Sequence, residues 1–195
     1  MVSDNPGKII ILNGASSSGK TTILRAVQNL MDEPYLDAGI DRFIWMLPKR
    51  YLNRPLWDDV LGQATQAGAA GQRLFRGMHR AIRELALCGN NVLADHVLVE
   101  PDWVEQCASL FCDLPAYLVG VRCPLDVLEQ RERSRKDRTL GQAKAQFPLV
   151  HKVAVYDLEL DTSLLSVETC AFEIKRRLEN GVPPAALRIL SQKKS

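Results

Sequence analysis

The chain has 195 residues, 46% apolar and 25% charged, with a formal net charge of +2. At this length one compact domain buries a large core, and so small a charge argues against a general nucleic-acid or membrane surface. No stretch approaches the ~18 uninterrupted apolar residues of a membrane span, and Met1 to Lys8 lacks the apolar region and cleavage site of a secretory signal, so a cytoplasmic protein is expected. The cysteines Cys88, Cys107, Cys112, Cys123 and Cys170 are odd in number and form no C-x-x-C pair. Their apolar surroundings predict buried thiols, with neither a zinc site nor a disulfide framework.

In chain order, Lys8 to Asn13 is a short β-branched run, as expected of a strand buried on both faces of a parallel sheet. Thr21 to Met31 carries Ile23, Val27 and Leu30 at helical spacing. Tyr35 to Asp41 is a weaker strand, and Arg42 to Leu47 begins a helix that Pro48 stops. Lys49 to Gly71 loses its period and collects Pro55, Gly62, Gly68 and Gly71, which predicts an irregular substrate-side insertion over about residues 48–71, with room for one short helix. Gln72 to Cys88 regains helical period and ends at Gly89. Strands follow at Asn91 to Asp95, Ala116 to Arg122 and Leu158 to Asp161, with helices opening at Pro101, Leu125 and Val167 and a frayed tail after Pro184. Strands alternating with helices predict an α/β fold, a parallel sheet sandwiched by helices, built as one domain over residues 1–195.

Gly14-Ala15-Ser16-Ser17-Ser18-Gly19-Lys20-Thr21 matches G-x-x-x-x-G-K-[ST], a pattern that residue usage alone produces in roughly one chain of this length in a hundred. It sits between a predicted strand and a predicted helix, where backbone N–H groups and a helix N-terminus face an anion. Gly14 to Thr22 is therefore the expected ATP-binding segment of a P-loop nucleotide-binding fold. Lys20 would reach the β- and γ-phosphates, and Thr21 would offer its hydroxyl to Mg²⁺. The competing reading is a glycine-serine turn with Lys20 solvated. The chain contains no Asn-Lys-x-Asp segment for guanine, which favours adenine.

Ligands of open parallel sheets sit beyond the carboxyl ends of the strands, so carboxylates ending strands are the candidates. Asp41, taken as the end of the second strand, would accept the proton of an acceptor hydroxyl; Asp37, about 13 Å earlier at ~3.3 Å per residue, is expected toward the opposite edge. A helix cap is the competing role for Asp41. Asp95 has the position of a metal-supporting acid, with a turn aspartate as its alternative. The triplet Asp161-Thr162-Ser163 is explained by local side-chain-to-backbone bonding, and His79, His96 and His151 receive no role. Arg131, Arg135 and Arg138 recur at i, i+4 and i+7, putting three guanidiniums on one helical face. Either that face is solvated, or it is an arginine lid over about residues 131–140 that closes on a triphosphate and stabilises the transferring phosphoryl group.

Taken together, Ile10-Ile11-Leu12-Asn13-Gly14 with the loop after it, Gly39-Ile40-Asp41, Gly120-Val121-Arg122-Cys123, Arg131, Arg135, Asp137-Arg138, Val150-His151 and the stretch from Tyr156-Asp157 to Asp161-Thr162 resemble the chloramphenicol phosphotransferases. These are relatives of small-molecule kinases such as shikimate kinase. The resemblance covers most of the chain. It implies an ATP-dependent kinase acting on a primary hydroxyl of chloramphenicol, with Asp41 as base. Asp95-His96 stands where the family pattern suggests two acids, and residues 49–71 have no clear counterpart, so another hydroxylated antibiotic is also in play.

The expected activity is therefore transfer of the γ-phosphoryl group of ATP to a hydroxyl of a small molecule, with Mg²⁺ as cofactor. No nucleic-acid or membrane partner is expected, and nothing indicates a homo-oligomer. The alternatives are a sugar or nucleotide-sugar kinase of the same fold, and a regulatory ATP-binding module.

Overall fold

A computed structural model describes residues 5–53, 67–134, 140–152 and 155–193. Five strands, β1 (Ile9–Asn13), β2 (Tyr35–Asp37), β3 (Asn91–His96), β4 (Ala116–Arg122) and β5 (Leu158–Asp161), form one parallel sheet in the order β2-β3-β1-β4-β5. Every residue of β1 is buried, as a central strand covered on both faces requires. Its side chains alternate between two cores. Ile10 and Leu12 pack with Ile23, Leu24 and Val27 of α1 (Lys20–Leu30) and with Ile174 of a later helix. Ile9 and Ile11 face the other way, toward Phe75, Met78 and Ile82 of a long helix, α3 (Ala69–Leu87), and Trp103 and Phe111 of α4 (Pro101–Phe111). Burial of each such side chain contributes about 1.5–3 kcal/mol. The helices after β1 and β3 thus lie on opposite faces, which opens a crevice between the carboxyl ends of these neighbouring strands.

The second strand is shorter than expected. It stops at Asp37, and the chain turns through Ala38 and Gly39 into a five-residue helix, α2 (Ile40–Ile44). Asp41 therefore does not end a strand. Asp37 does, at the same edge and not the opposite one, with its register partner Leu93 two residues before Asp95. Within the expected irregular stretch, a short 3₁₀ turn forms at Lys49–Tyr51, while α3 begins earlier than its period suggested and takes in Gly71. Residues 54–66 of that stretch lie outside the described residues.

Beyond β4 come α5 (Leu125–Ser134), α6 (Gln142–Val150), α7 (Val167–Glu179) and α8 (Ala186–Gln192). The helices α6 and α8 were not anticipated, and tertiary contacts account for both. Glu132 of α5, 2% exposed, accepts hydrogen bonds at the start of α6 from Gly141 N (2.7 Å) and Ala143 N (3.0 Å). Asp157 Oδ1 does the same for α8, from Ala185 N at 2.6 Å and Ala186 N at 3.1 Å. The tail after Pro184 is thus docked through buried Ala186 and Leu187. Three cysteines are buried as expected, but Cys88 is exposed and Cys112 half-buried, because they lie where α3 and α4 run out at the surface. No helix among the described residues is long and apolar enough to cross a membrane.

Two histidines are sealed against the α3–α4 core. His96 Nδ1 accepts from Val97 N (2.7 Å), which puts the proton of the neutral ring on Nε2, where it donates to His79 Nε2 at 2.9 Å. His79 Nδ1 then donates to Gln106 Oε1 at 3.2 Å. Burial holds the His79 pKa down to about 4 from 6.5, and burial, aided by His79 and Lys20, holds His96 well below its ordinary value. Both are neutral in the folded protein, whereas the unfolded chain takes up protons below about 6.5. Their stabilisation is therefore complete above pH 6.5 and is lost as pH falls, for His79 toward about 4 at about 1.4 kcal/mol per pH unit, with His96 adding in the same direction. The melting temperature should accordingly fall steadily between pH 7 and 5; a flat or rising profile would contradict this account.

Candidate active site

The turn from Gly14 to Gly19 joins the end of β1 to the start of α1. Ser17 (φ 65°) and Gly19 (φ 91°) adopt the left-handed conformation, which curls the chain so that successive amides face inward. Lys20, at the head of α1, folds back to donate to Gly14 O and Ala15 O, each at 2.8 Å. The hydroxyls of Ser16, Ser17 and Ser18 are buried, and no protein group bonds them. Leaving a buried hydroxyl unpaired costs about 1–3 kcal/mol, so three in one turn mark a cradle shaped for a polyanion.

One cleft beside this turn is lined by Lys20, Thr21, Asp41, Asp95, Trp103 and Gln146, among others. Asp95 comes from β3 and stands level with Leu12 of β1, in the crevice between the two strands. Thr21 Oγ1 donates to Asp95 Oδ2 at 2.6 Å. Among the described residues no group of three or more His, Cys, Asp or Glu gathers to hold a metal. Two hard oxygen donors remain, which suits Mg²⁺, an ion that takes its other ligands from water and phosphate. Gly39 passes so close to this carboxylate that a Cβ there would lie 2.1 Å from Asp95 Oδ1.

Gly39, not Asp41, occupies the cap position of α2, so Asp41 sits in the first turn and lines the cleft. Asp37 is committed elsewhere, accepting from Gly39 N at 3.1 Å and pairing with Arg42 at 2.7 Å. Thr22 faces away from this cleft and lines a second cavity on the other side of Gly19, together with Arg131, Thr162, Ser166 and Cys170.

Arg131 is the one predicted lid arginine among the described residues; Arg135 and Arg138 lie outside them. Its guanidinium donates to Thr162 Oγ1 (3.0 Å) and Thr162 O (2.8 Å). Thr162 Oγ1 in turn donates to Ser18 O at 3.0 Å. Thr162 thus joins the arginine helix to the phosphate turn, a role that the local reading of its triplet missed. Asp161 does follow that reading, accepting from Ser163 N and Oγ at 2.8 and 2.6 Å. Replacing Thr162 by Val keeps the shape and removes these hydroxyl bonds. About a tenfold weaker affinity for ATP is expected at unchanged melting temperature, with recovery in Thr162→Ser. Titration of nucleotide into the three proteins measures it, and equal affinities would remove the role.

Gln146 was also missed, because α6 was missed. It is 6% exposed, and its Oε1 accepts from Ser16 N at 2.7 Å. Asn13 acts beside it as a three-way brace, donating to Val150 O (2.7 Å) and Tyr156 Oη (2.8 Å) and accepting from Leu98 N (2.8 Å).

Residues 7–179 match the family of chloramphenicol phosphotransferase-like proteins. A Mycobacterium tuberculosis H37Rv protein described as a "putative O-phosphotransferase" is 33% identical over 200 residues, covering 96% of this chain and 89% of the relative. Among solved structures, a sugar kinase from Janibacter sp. HTCC2649 superposes with a TM-score of 0.67 at 16% identity, covering 93% of this chain and 98% of its own. The M. tuberculosis APS kinase in complex with AMPPNP and APS gives 0.63 at 19% identity, with 90% and 99% covered. These two likenesses concern the fold. The chain belongs to the chloramphenicol phosphotransferase-like family and is a phosphotransferase of the P-loop kinase fold.

Proposed function

We propose that this protein transfers the γ-phosphoryl group of ATP to a hydroxyl group of an uncharged small molecule, for which chloramphenicol is the first candidate. The observation that carries the reading is the meeting, in one cleft, of Lys20, Thr21, Asp95 and Asp41 beside buried serine hydroxyls with no protein partner. The turn would hold the phosphates, with the base and ribose in the second cavity beside Arg131 and Thr162. Mg²⁺, held by Thr21 and Asp95 oxygens, supplies charge neutralisation at the phosphates. Asp41 accepts the proton of the attacking hydroxyl as the new P–O bond forms and the bond to the ADP oxygen breaks. Arg131, together with Arg135 and Arg138, would close over the nucleotide as a lid.

The acceptor's chemistry follows from the cleft wall. Ile40, Ile44, Val97, Val99 and Trp103 line it, and Lys20 is the single cation among the described lining residues. An apolar body carrying a hydroxyl would pack well against these side chains. The test is mass spectrometry of chloramphenicol, other hydroxylated antibiotics, sugars and nucleotide-sugars incubated with protein, ATP and Mg²⁺. A phosphorylated neutral alcohol, with ATP consumption that depends on it, is expected. ATP consumption indifferent to every acceptor would overturn the proposal in favour of a nucleotide-binding module.

A further inference from the structure

Trp103, in the first turn of α4, is the one aromatic side chain lining the cleft among the described residues, and only 2% of it is exposed. Two rings hold it. Phe75 of α3 meets the indole in a T-shaped arrangement with centroids 4.7 Å apart, and the His96 ring at the end of β3 lies 5.7 Å away. The indole has a single hydrogen-bond donor, Nε1, and Gln72 Oε1 of α3 takes it at 3.2 Å. What Trp103 offers the cleft is therefore ring surface and no hydrogen bond.

Gln72 is itself held. Its amino group, Nε2, donates to Glu100 Oε2 and, weakly, to Ala67 O at 3.4 Å. Glu100 occupies the cap position of α4, yet its side chain does not cap that helix. The carboxylate crosses instead to the start of α3, where Oε1 accepts from Ala67 N at 2.6 Å, one residue before the Gly68 cap. A carboxylate can only accept, so it meets the amino end of the Gln72 amide and leaves the carbonyl end for Trp103. Gln72 and Phe75, three positions apart, share one face of α3, so the face that packs the indole also ties its nitrogen. With a charged acceptor at its root, this chain of bonds is of the strong kind.

We propose that Glu100 and Gln72 are positioning residues, which fix the Trp103 indole as an apolar wall of the acceptor site and thereby set the affinity for the alcohol. The proposal rests on the phosphotransfer reading above, with the acceptor in this cleft. None of the bonds in the chain reaches the phosphate turn, so nucleotide binding should not register its loss. The wall has to be rigid to be useful: a ring already held by Phe75, His96 and Gln72 loses little freedom when the acceptor packs on it.

The test is kinetic, with the alcohol on which wild-type ATP consumption depends in the screen above, chloramphenicol first. Glu100→Gln keeps the shape, but with its oxygen on Ala67 N it turns an amino group toward the amino group of Gln72. The acceptor KM should rise about tenfold, with kcat within about twofold and ATP affinity unchanged, the pattern of lost ground-state binding. Gln72→Glu alone sets two carboxylates together and should raise the acceptor KM at least as far. Combining the two substitutions restores the chain with its charge moved. The new amide at position 100 accepts from Ala67 N and donates to the new carboxylate at position 72, which accepts from Trp103 Nε1. Only the long bond to Ala67 O is forgone, so the double variant should return to within about threefold of the wild-type KM. Where Glu100→Gln fails to fold, Gln72→Met breaks the chain in its place. Single variants that melt early but keep the wild-type acceptor KM would reduce the chain to a brace of the fold, and a raised KM that the double variant does not reverse would equally overturn the proposal. ATP consumption by the wild-type protein that depends on no alcohol would instead bring down the phosphotransfer reading, and this inference with it.

Discussion

Lys20→Ala should leave the protein folded and abolish most of its phosphoryl transfer, with turnover down by about 10³-fold or more. The fold should survive because the lysine contributes to stability chiefly through hydrogen bonds to the exit of β1, at Gly14 O and Ala15 O. Such bonds are worth about 1.5–3 kcal/mol each at most, and water can replace them once the side chain is cut back. The β1 and α1 cores, built on Ile10, Leu12, Ile23 and Val27, are untouched. Activity has no such substitute, since among the described residues of the cleft wall no other cation stands ready for the migrating charge. Turnover measured with labelled ATP, alongside a thermal melt, decides the matter. Near-normal phosphorylation by the alanine variant would dismantle the assignment of this turn.

Asp41→Asn is expected to show a different signature: turnover lower by about 10²–10⁴-fold with ATP affinity unchanged within about twofold. Asparagine keeps the shape and can still orient a hydroxyl, but cannot take its proton at neutral pH. Asp41 stands in the first turn of α2, whereas the phosphate-binding turn belongs to β1 and α1, so nucleotide binding should not register the change. A large loss of ATP affinity with intact turnover would assign Asp41 to the metal or the phosphates instead of the acceptor.

Much of this arrangement was legible in the chain because its signals are local. The β-branched run at Ile9, the glycine-framed turn and the period of Ile23 and Val27 each specify an element within a dozen residues. What stayed hidden depends on partners distant in sequence. The helix α6 contains Pro148 and shows little periodicity, and its first amides are capped by Glu132 from another helix. The role of Thr162 was masked by a plausible local explanation, since a hydroxyl beside two other polar residues does not announce that it spans 144 positions to Ser18. Asp41 was selected as the end of a strand that in fact stops at Asp37, and the cleft nonetheless includes it because the turn at Gly39 carries the chain back over Asp95. That step needs a residue without a side chain, which the sequence does contain but which only contact distances explain.

The bracing by Thr162 and Asn13 has an evolutionary corollary. One half of the cavity is cross-linked by polar bonds between segments far apart in the chain, so a single substitution there disturbs several elements together. The opposite half rests on a five-residue helix whose inward residues, Ile40 and Ile44, are aliphatic and exchangeable for others of similar volume. Drift or deliberate libraries can therefore retune which alcohol is accepted at these two positions while the energy source stays constant, and a scaffold so divided is predisposed to diversify its customers.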